Sequence, residues 1–285
     1  MNNLIIEKLK YITVAFYGWI EPVKLMVEEH YDKEENNGII IFLNILLAKE
    51  DCIHYHHYKK KIYYMLEHRI TDEAYWGGTY HYWDNDYVNL VRDTHIDEIW
   101  TMDYMPQFAI RCSQEFNIPI KYMPMRYTSL IKPVENIYVT PKTTDYCSVG
   151  LIIAPERIEI LEQVEQNHLF SFKGITQVKN LRSVVSELNM SKYILDIPRE
   201  PNLLTQNQVR IFELICMGYT VCAKKCLFNM FPGLIYEWET LDDLIEIAKR
   251  GKYLHPTEAY KEMTYTDEAY ERYVNHLIEL WNTKG

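Results

Sequence analysis

Residues Tyr193–Lys224 read YILDIPREPNLLTQNQVRIFELICMGYTVCAK, and their order decides the fold class. The apolar run Tyr193–Ile197 predicts a strand, and the polar stretch Pro198–Thr205 a loop. Gln206–Met217 predicts a helix stopped by Gly218, and Thr220–Ala223 the next strand. Strand, loop, helix and strand make the unit of a parallel sheet, whose ligands sit at the carboxyl ends of the strands. A helix starting near Gln206 aims its free N–H groups and positive dipole end there, a natural seat for a phosphate-type anion. On this helix Gln206, Arg210 and Glu213 fall at i, i+4 and i+7 and share a face, while Val209, Phe212 and Cys216 share the face that packs on the sheet. Two readings of the polar stripe stand side by side. Arg210 grips an anion through its planar fork, or Arg210 and Glu213 form an ion pair on a solvated face.

The same alternation extends in both directions. Downstream, Leu234–Tyr236 predicts a strand and Thr240-x-x-Asp243 a capping box opening a helix over Leu241–Arg250, with Gly251 beyond it. A last helix near Asp267–Trp281 follows a second such box, Thr264-x-x-Asp267. Upstream, Cys147–Ile153 and His168–Phe172 predict strands, the latter closed by Lys173-Gly174, and Pro155–Gln166 and Gln177–Leu188 predict helices. Lys132–Tyr146, with two prolines and several threonines, reads as a linker. Before it the runs Ile12–Phe16, Ile39–Leu43, Lys61–Met65, Glu98–Trp100 and Ile120–Met123 predict the strands of another buried parallel sheet. The expected architecture is therefore α/β. It has two Rossmann-like, doubly wound half-domains, 1–140 and 141–285, facing a cleft, with the last helix available to pack back on the first half.

The chain has 285 residues, 48% of them hydrophobic and 25% charged, which is enough for a core in each half and unlike a disordered chain. Its formal net charge of −10 argues against a broad basic surface for nucleic acid. The six cysteines form no CxxC pair, which excludes a zinc ribbon, and scattered thiols point to a reducing, cytoplasmic compartment. No segment reads as a signal peptide or a transmembrane span. The 24 tyrosines suit sugar stacking and interfaces, or reflect composition alone. GxGxxG, P-loop and G-x-S-x-G motifs are missing from the sequence, which disfavours a dinucleotide oxidoreductase, a P-loop kinase and a nucleophile-elbow hydrolase.

RIFELICMGYTVCAKK (Arg210–Lys225) resembles the donor-site helix of GT-B glycosyltransferases, an Arg-x-Phe-Glu-Ala-x-Ala-x-Gly stretch followed by a short β run. ILDIPREPN (194–202) is similar to the strand and loop entering that motif, and VGLIIAPERIEIL (149–161) to the first strand and helix of the same half-domain. IYYMLEHR (62–69) and DEIWTMDYM (97–105) resemble, more loosely, stretches of bacterial and viral sugar transferases of this class. The resemblance implies transfer of a hexose or pentose from a nucleotide diphosphate-sugar, the substrate, with no bound cofactor or metal. It implies Glu213 at the donor ribose, Arg210 and Arg157 at the phosphates, and Lys173 and Gln206 on the donor side. Many retaining members carry a second Glu eight positions before the ribose-binding one; here that position is Thr205, which leaves retention or inversion open.

An inverting enzyme needs a general base beside the acceptor hydroxyl. Glu67 and His68, just after a first-half strand, are the candidates; the alternative is that they cap the strand end. Gly18 permits close backbone approach of a ligand, or is a plain turn. Trp76 and His81 lie in WGGTYHYW (76–83), an acceptor-side stacking loop or lid, or a packed hairpin. The expected partners are the nucleotide-sugar donor and a glycan acceptor in preference to DNA, with a homodimer left open. Other readings are a viral transferase acting on a hydroxylated base, a metal-dependent GT-A-type transferase built on Asp84 and Asp86, and a non-catalytic scaffold of this fold. His54, His56 and His57 alternate as in a strand and form a weaker metal candidate.

Overall fold

The computed structural model describes residues 4–43, 53–66, 95–104, 110, 113–114, 117–150, 155–175, 180–197 and 205–284. Its contacts divide the chain into two units, one of residues 1–125 and 274–285, the other of residues 126–273.

The first unit holds a six-stranded sheet in the order β1 to β6: Leu4–Lys8, Thr13–Tyr17, Ile39–Leu43, Lys60–Met65, Glu98–Thr101 and Ile120–Tyr122. β1 is antiparallel to β2, and all the other pairs are parallel. The runs of β2, β3 and β5 and the end of β4 are buried because both faces are covered, whereas β6 keeps Lys121 exposed. Ala15, Ile40, Phe42, Tyr63, Met65 and Ile99 form a core on one face. Helix α1, Glu21–Tyr31, has Pro22 at its start and buries Val23, Met26, Val27 and His30, the i, i+3, i+4, i+7 spacing of an amphipathic helix.

The second unit holds a parallel sheet in the order β11-β10-β9-β7-β8. Its strands are β7 Thr144–Val149, β8 Phe172–Ile175, β9 Ser191–Asp196, β10 Val221–Lys224 and β11 Tyr236–Trp238. Its helices are α2 Pro155–Gln166, α3 Val185–Asn189, α4 Gln208–Met217, α5 Leu241–Arg250 and α6 Pro256–Thr264; α7, Asp267–Lys284, begins in this unit. The strand order reverses at β7, with β8 on one side and β9 on the other. In the first sheet β2 to β6 follow one direction, so the reversal that opens a ligand crevice belongs to the second sheet among the described residues.

Local signals set several boundaries. α5 begins with the full capping box of Thr240 and Asp243 and ends at Gly251. α4 ends at Gly218, whose φ of 98° suits glycine. Other expectations fail for physical reasons. The strand expected over His168–Phe172 forms at Phe172–Ile175, with Lys173 and Gly174 inside the ladder instead of closing it. Thr264-x-x-Asp267 is not a capping box: Thr264 is the last residue of α6, its hydroxyl donates to the Tyr260 carbonyl, and Thr266 caps α7. His54, His56 and His57 lie in a 3-10 turn and the bend after it, not in a strand. The linker expected over Lys132–Tyr146 already contains the first three residues of β7.

Many tyrosines are core residues with a hydroxyl that reaches a main-chain carbonyl. Tyr146 donates to Leu244 at 2.6 Å, Tyr193 and Tyr236 both donate to Lys252 at 3.2 Å, and Tyr64 donates to Met123 at 2.5 Å. In Tyr146, Tyr193 and Tyr64 a large apolar ring is thus buried while its polar tip reaches a main-chain carbonyl. Arg126, 2% exposed, works similarly. Its guanidinium donates to the carbonyls of Thr264 (3.1 Å) and Tyr265 (2.6 Å) and to the Asp267 carboxylate (3.0 Å), and it lies 4.5 Å from the Tyr270 ring. It thereby fixes the corner between α6 and α7.

In the first unit Glu98, 3% exposed, accepts from Lys60, from Trp100 Nε1 at 2.6 Å, and pairs with Lys121 Nζ at 3.0 Å. Burial pushes the carboxyl pKa up, but hydrogen bonds from Lys60, Trp100 and Lys121 outweigh it and hold the group below its ordinary value. A depressed folded pKa adds stability above the unfolded value of about 4.3, and that stability is lost as pH falls through the folded value. Glu98→Gln is therefore expected to cost about 1–3 kcal/mol at pH 7 and to flatten the loss of stability between roughly pH 5 and 3. Urea midpoints at pH 7, 5 and 3 check this; an unchanged acid slope in the variant refutes it.

Candidate functional site

At the carboxyl edge of the second sheet β7 ends at Val149 and β9 at Asp196. α2 and α4 follow these strands. Right-handed crossovers in opposite directions put such helices on opposite faces. The side chains agree: Leu161 and Val164 of α2 share one core cluster with Tyr146, Tyr193 and Leu195, and no α4 residue belongs to it. In open parallel sheets ligands bind at such a reversal of strand order, beyond the carboxyl ends of the flanking strands, here β7 and β9. Gly150, directly after β7, has φ 144°, which favours glycine where the chain turns out of the sheet.

Asp196 ends β9 at this edge and is 2% exposed. Its carboxylate meets Arg210 Nη1 at 3.1 Å, from the first turn of α4. A buried carboxylate is tolerable only with such a partner. The guanidinium, 24% exposed, uses Nη1 for this bond; with five N–H donors in a fork, it has the capacity to hold a carboxylate and a second anion together. The ion pair thus links helix to sheet and orients the arginine.

Of the residues expected on the donor side, Arg210 lies at the carboxyl edge of the second sheet, paired with Asp196. Glu213, one turn further along α4, is 8% exposed and does not lie on a solvated face. Gln206 differs from expectation. α4 starts at Gln208, with Asn207 as the cap whose side chain accepts from Arg210 N, so Gln206 precedes the helix. It is 1% exposed; its carbonyl oxygen accepts from Met230 N at 3.0 Å and its amide donates to Glu237 at 3.4 Å. The stripe of three shrinks to Arg210 and Glu213 because Asn207 ends the helix one residue before Gln206. Thr205 is fully buried in a bridge to Phe228.

Lys173 is exposed on β8, at the other edge of the sheet. Arg157 lies in the first turn of α2, and its side chain falls outside the described residues. Gly18 opens a short 3-10 turn after β2, where an added Cβ meets only Ile5 at 4.0 Å. Glu67, His68, Trp76, His81, Asp84 and Asp86 lie outside the described residues. Among the described residues no three His, Cys, Asp or Glu side chains gather as metal ligands, and no helix is long and apolar enough to cross a membrane. Asp196 is the residue that sequence reading passed over. The available signal was an acid as the last residue of an otherwise apolar strand.

Two successive α/β units, each with a parallel sheet and the second with a guanidinium–carboxylate pair at its strand-order reversal, define a two-unit Rossmann-like protein. No family model matches the chain, and no curated protein sequence matches it. Among solved structures the chain is similar to UGT89C1 of Arabidopsis thaliana complexed with quercetin, at 11% identity and a TM-score of 0.39, over 92% of this chain and 76% of that one. It is also similar to the pneumococcal O-GlcNAc transferase GtfA in complex with UDP and GlcNAc, at 10% identity and a TM-score of 0.40, over 94% of this chain and 60% of GtfA's length.

Proposed function

We propose that the chain is a glycosyltransferase whose second unit binds a nucleotide diphosphate-sugar, with a glycan or other hydroxyl compound as acceptor. The observation that carries this reading is the Arg210–Asp196 pair at the carboxyl edge, where the strand order reverses. Loss of a nucleoside diphosphate leaves negative charge on the departing phosphate. A preset guanidinium and a helix N-terminus stabilise that charge without reorganising. Arg210 supplies the first, and α2, opening at Pro155, supplies the second. Glu213, one helical turn from Arg210, is assigned to the ribose hydroxyls, since a carboxylate accepts from both. Glu67 and His68 remain the proposed acceptor base, with Gly18, Trp76 and His81 on the acceptor side. No metal is needed for this chemistry, so activity is expected to survive chelation by EDTA.

The test is calorimetric titration with a panel of nucleoside diphosphates and their sugars, followed by product analysis. Glu213→Ala is expected to weaken the nucleotide that binds by roughly 1.5–3 kcal/mol and to reduce the preference for ribose over 2′-deoxyribose. An unchanged affinity removes Glu213 from the ribose, and no binding across the panel removes the transferase reading.

A further inference from the structure

The first unit contains a cavity of about 170 Å³ on the face of the sheet opposite the Phe42–Tyr63 core. Ile39, Ile41, Ile62 and Trp100 form its floor, with Tyr31 and Lys121 among its walls. It belongs to the first unit, whereas the Arg210–Asp196 pair belongs to the second. An apolar cavity of roughly 150 Å³ is large enough for a benzene ring. The Tyr31 and Trp100 rings, with centroids 4.9 Å apart, provide flat walls. A hydrated sugar fits poorly, because its hydroxyls would be buried against isoleucine side chains without partners.

The charge around the cavity gives the ligand its second half. Lys60 and Lys121 both bind the single carboxylate of Glu98, whose other oxygen contact is the Trp100 indole N–H. Among the described residues, two ammonium groups meet one carboxylate beside Trp100. Lys121 lines the cavity and its side chain is 58% exposed, so its ammonium reaches water and an incoming anion at the mouth. We propose that this cavity binds a small aromatic carboxylate, with the ring between the isoleucines and Trp100 and the carboxylate on Lys121. The site is independent of the Arg210–Asp196 pair and of the transferase reading.

The probe is benzoate, with toluene as the neutral ring, titrated into the full chain and followed by ligand-observed NMR with dissociation constants from calorimetry. Lys121→Met keeps the stem and removes the charge at an exposed position; it is expected to weaken benzoate roughly tenfold and leave toluene unchanged. Ile39→Trp, at a half-buried position of the cavity lining, is expected to abolish both ligands, with circular dichroism and melting used to confirm a folded protein. Failure of benzoate to bind the parent protein at millimolar concentration overturns the proposal. So does equal benzoate binding by the parent and Lys121→Met proteins, or by the parent and a folded Ile39→Trp protein. Loss of nucleotide binding in any of these variants is not expected.

Discussion

Replacing Arg126 by methionine is expected to lower the unfolding free energy of the second unit by about 3–5 kcal/mol. Methionine keeps much of the apolar stem and the contact with Tyr270, so the lost quantity is the polar clamp. Two main-chain carbonyls, the buried one of Thr264 and the half-buried one of Tyr265, lose a donor, at about 1–3 kcal/mol for a buried acceptor. The Asp267 carboxylate, 71% exposed, is rehydrated and contributes little. Arg126→Lys is expected to fall between, because one ammonium cannot span three acceptors in a planar fork. Urea unfolding followed by fluorescence measures the loss. A change below about 1 kcal/mol in Arg126→Met would show that the α6–α7 corner is held by packing and not by the arginine.

The second large effect concerns turnover. Arg210→Ala is expected to lower sugar transfer roughly 10²–10³-fold, the loss typical when one preset charge-stabilising donor is removed. Stability also falls, because Asp196 is left as a buried, unpaired carboxylate, which costs about 3–5 kcal/mol. The double variant Arg210→Ala, Asp196→Asn separates the two losses. It removes the stranded charge and is expected to recover most of the stability while turnover per folded molecule stays low. Recovery of turnover together with stability would mean that the pair serves folding only. Asp196→Asn alone keeps the guanidinium but loosens its orientation, and is expected to raise the nucleotide KM more than it lowers kcat.

Much of the second unit was legible in one dimension. α2 and α5 form over the expected residues, the latter because Thr240 and Asp243 complete a capping box within four positions. The first-unit strands Ile39–Leu43 and Lys60–Met65 follow apolar runs long enough to be buried on both faces. Elements with weaker local signals were misplaced or missed. β1 is short and mostly exposed, and as an antiparallel edge strand beside β2 it carries no buried apolar run to read. α6 was passed over because Thr264 lies four residues after Tyr260 and donates back to it, so a threonine that looks like a helix start closes a helix instead. At the site, the spacing of Arg210 and Glu213 was readable, whereas the engagement of Gln206 with Met230 and Glu237 was not, since those partners lie 24 and 31 residues away.

The sequence by itself determined the alternation of strands and helices, and with it two α/β units, because burial periodicity and helix caps act over a few residues. Only the tertiary structure decided that β8 and β9 add to opposite sides of β7, and that Asp196 at the end of β9 is the partner of Arg210. The same holds for Arg126, whose acceptors lie 138 to 141 residues along the chain. Strand order and long-range polar pairing are choices among distant segments, settled by which arrangement leaves the fewest buried charges and carbonyls without partners.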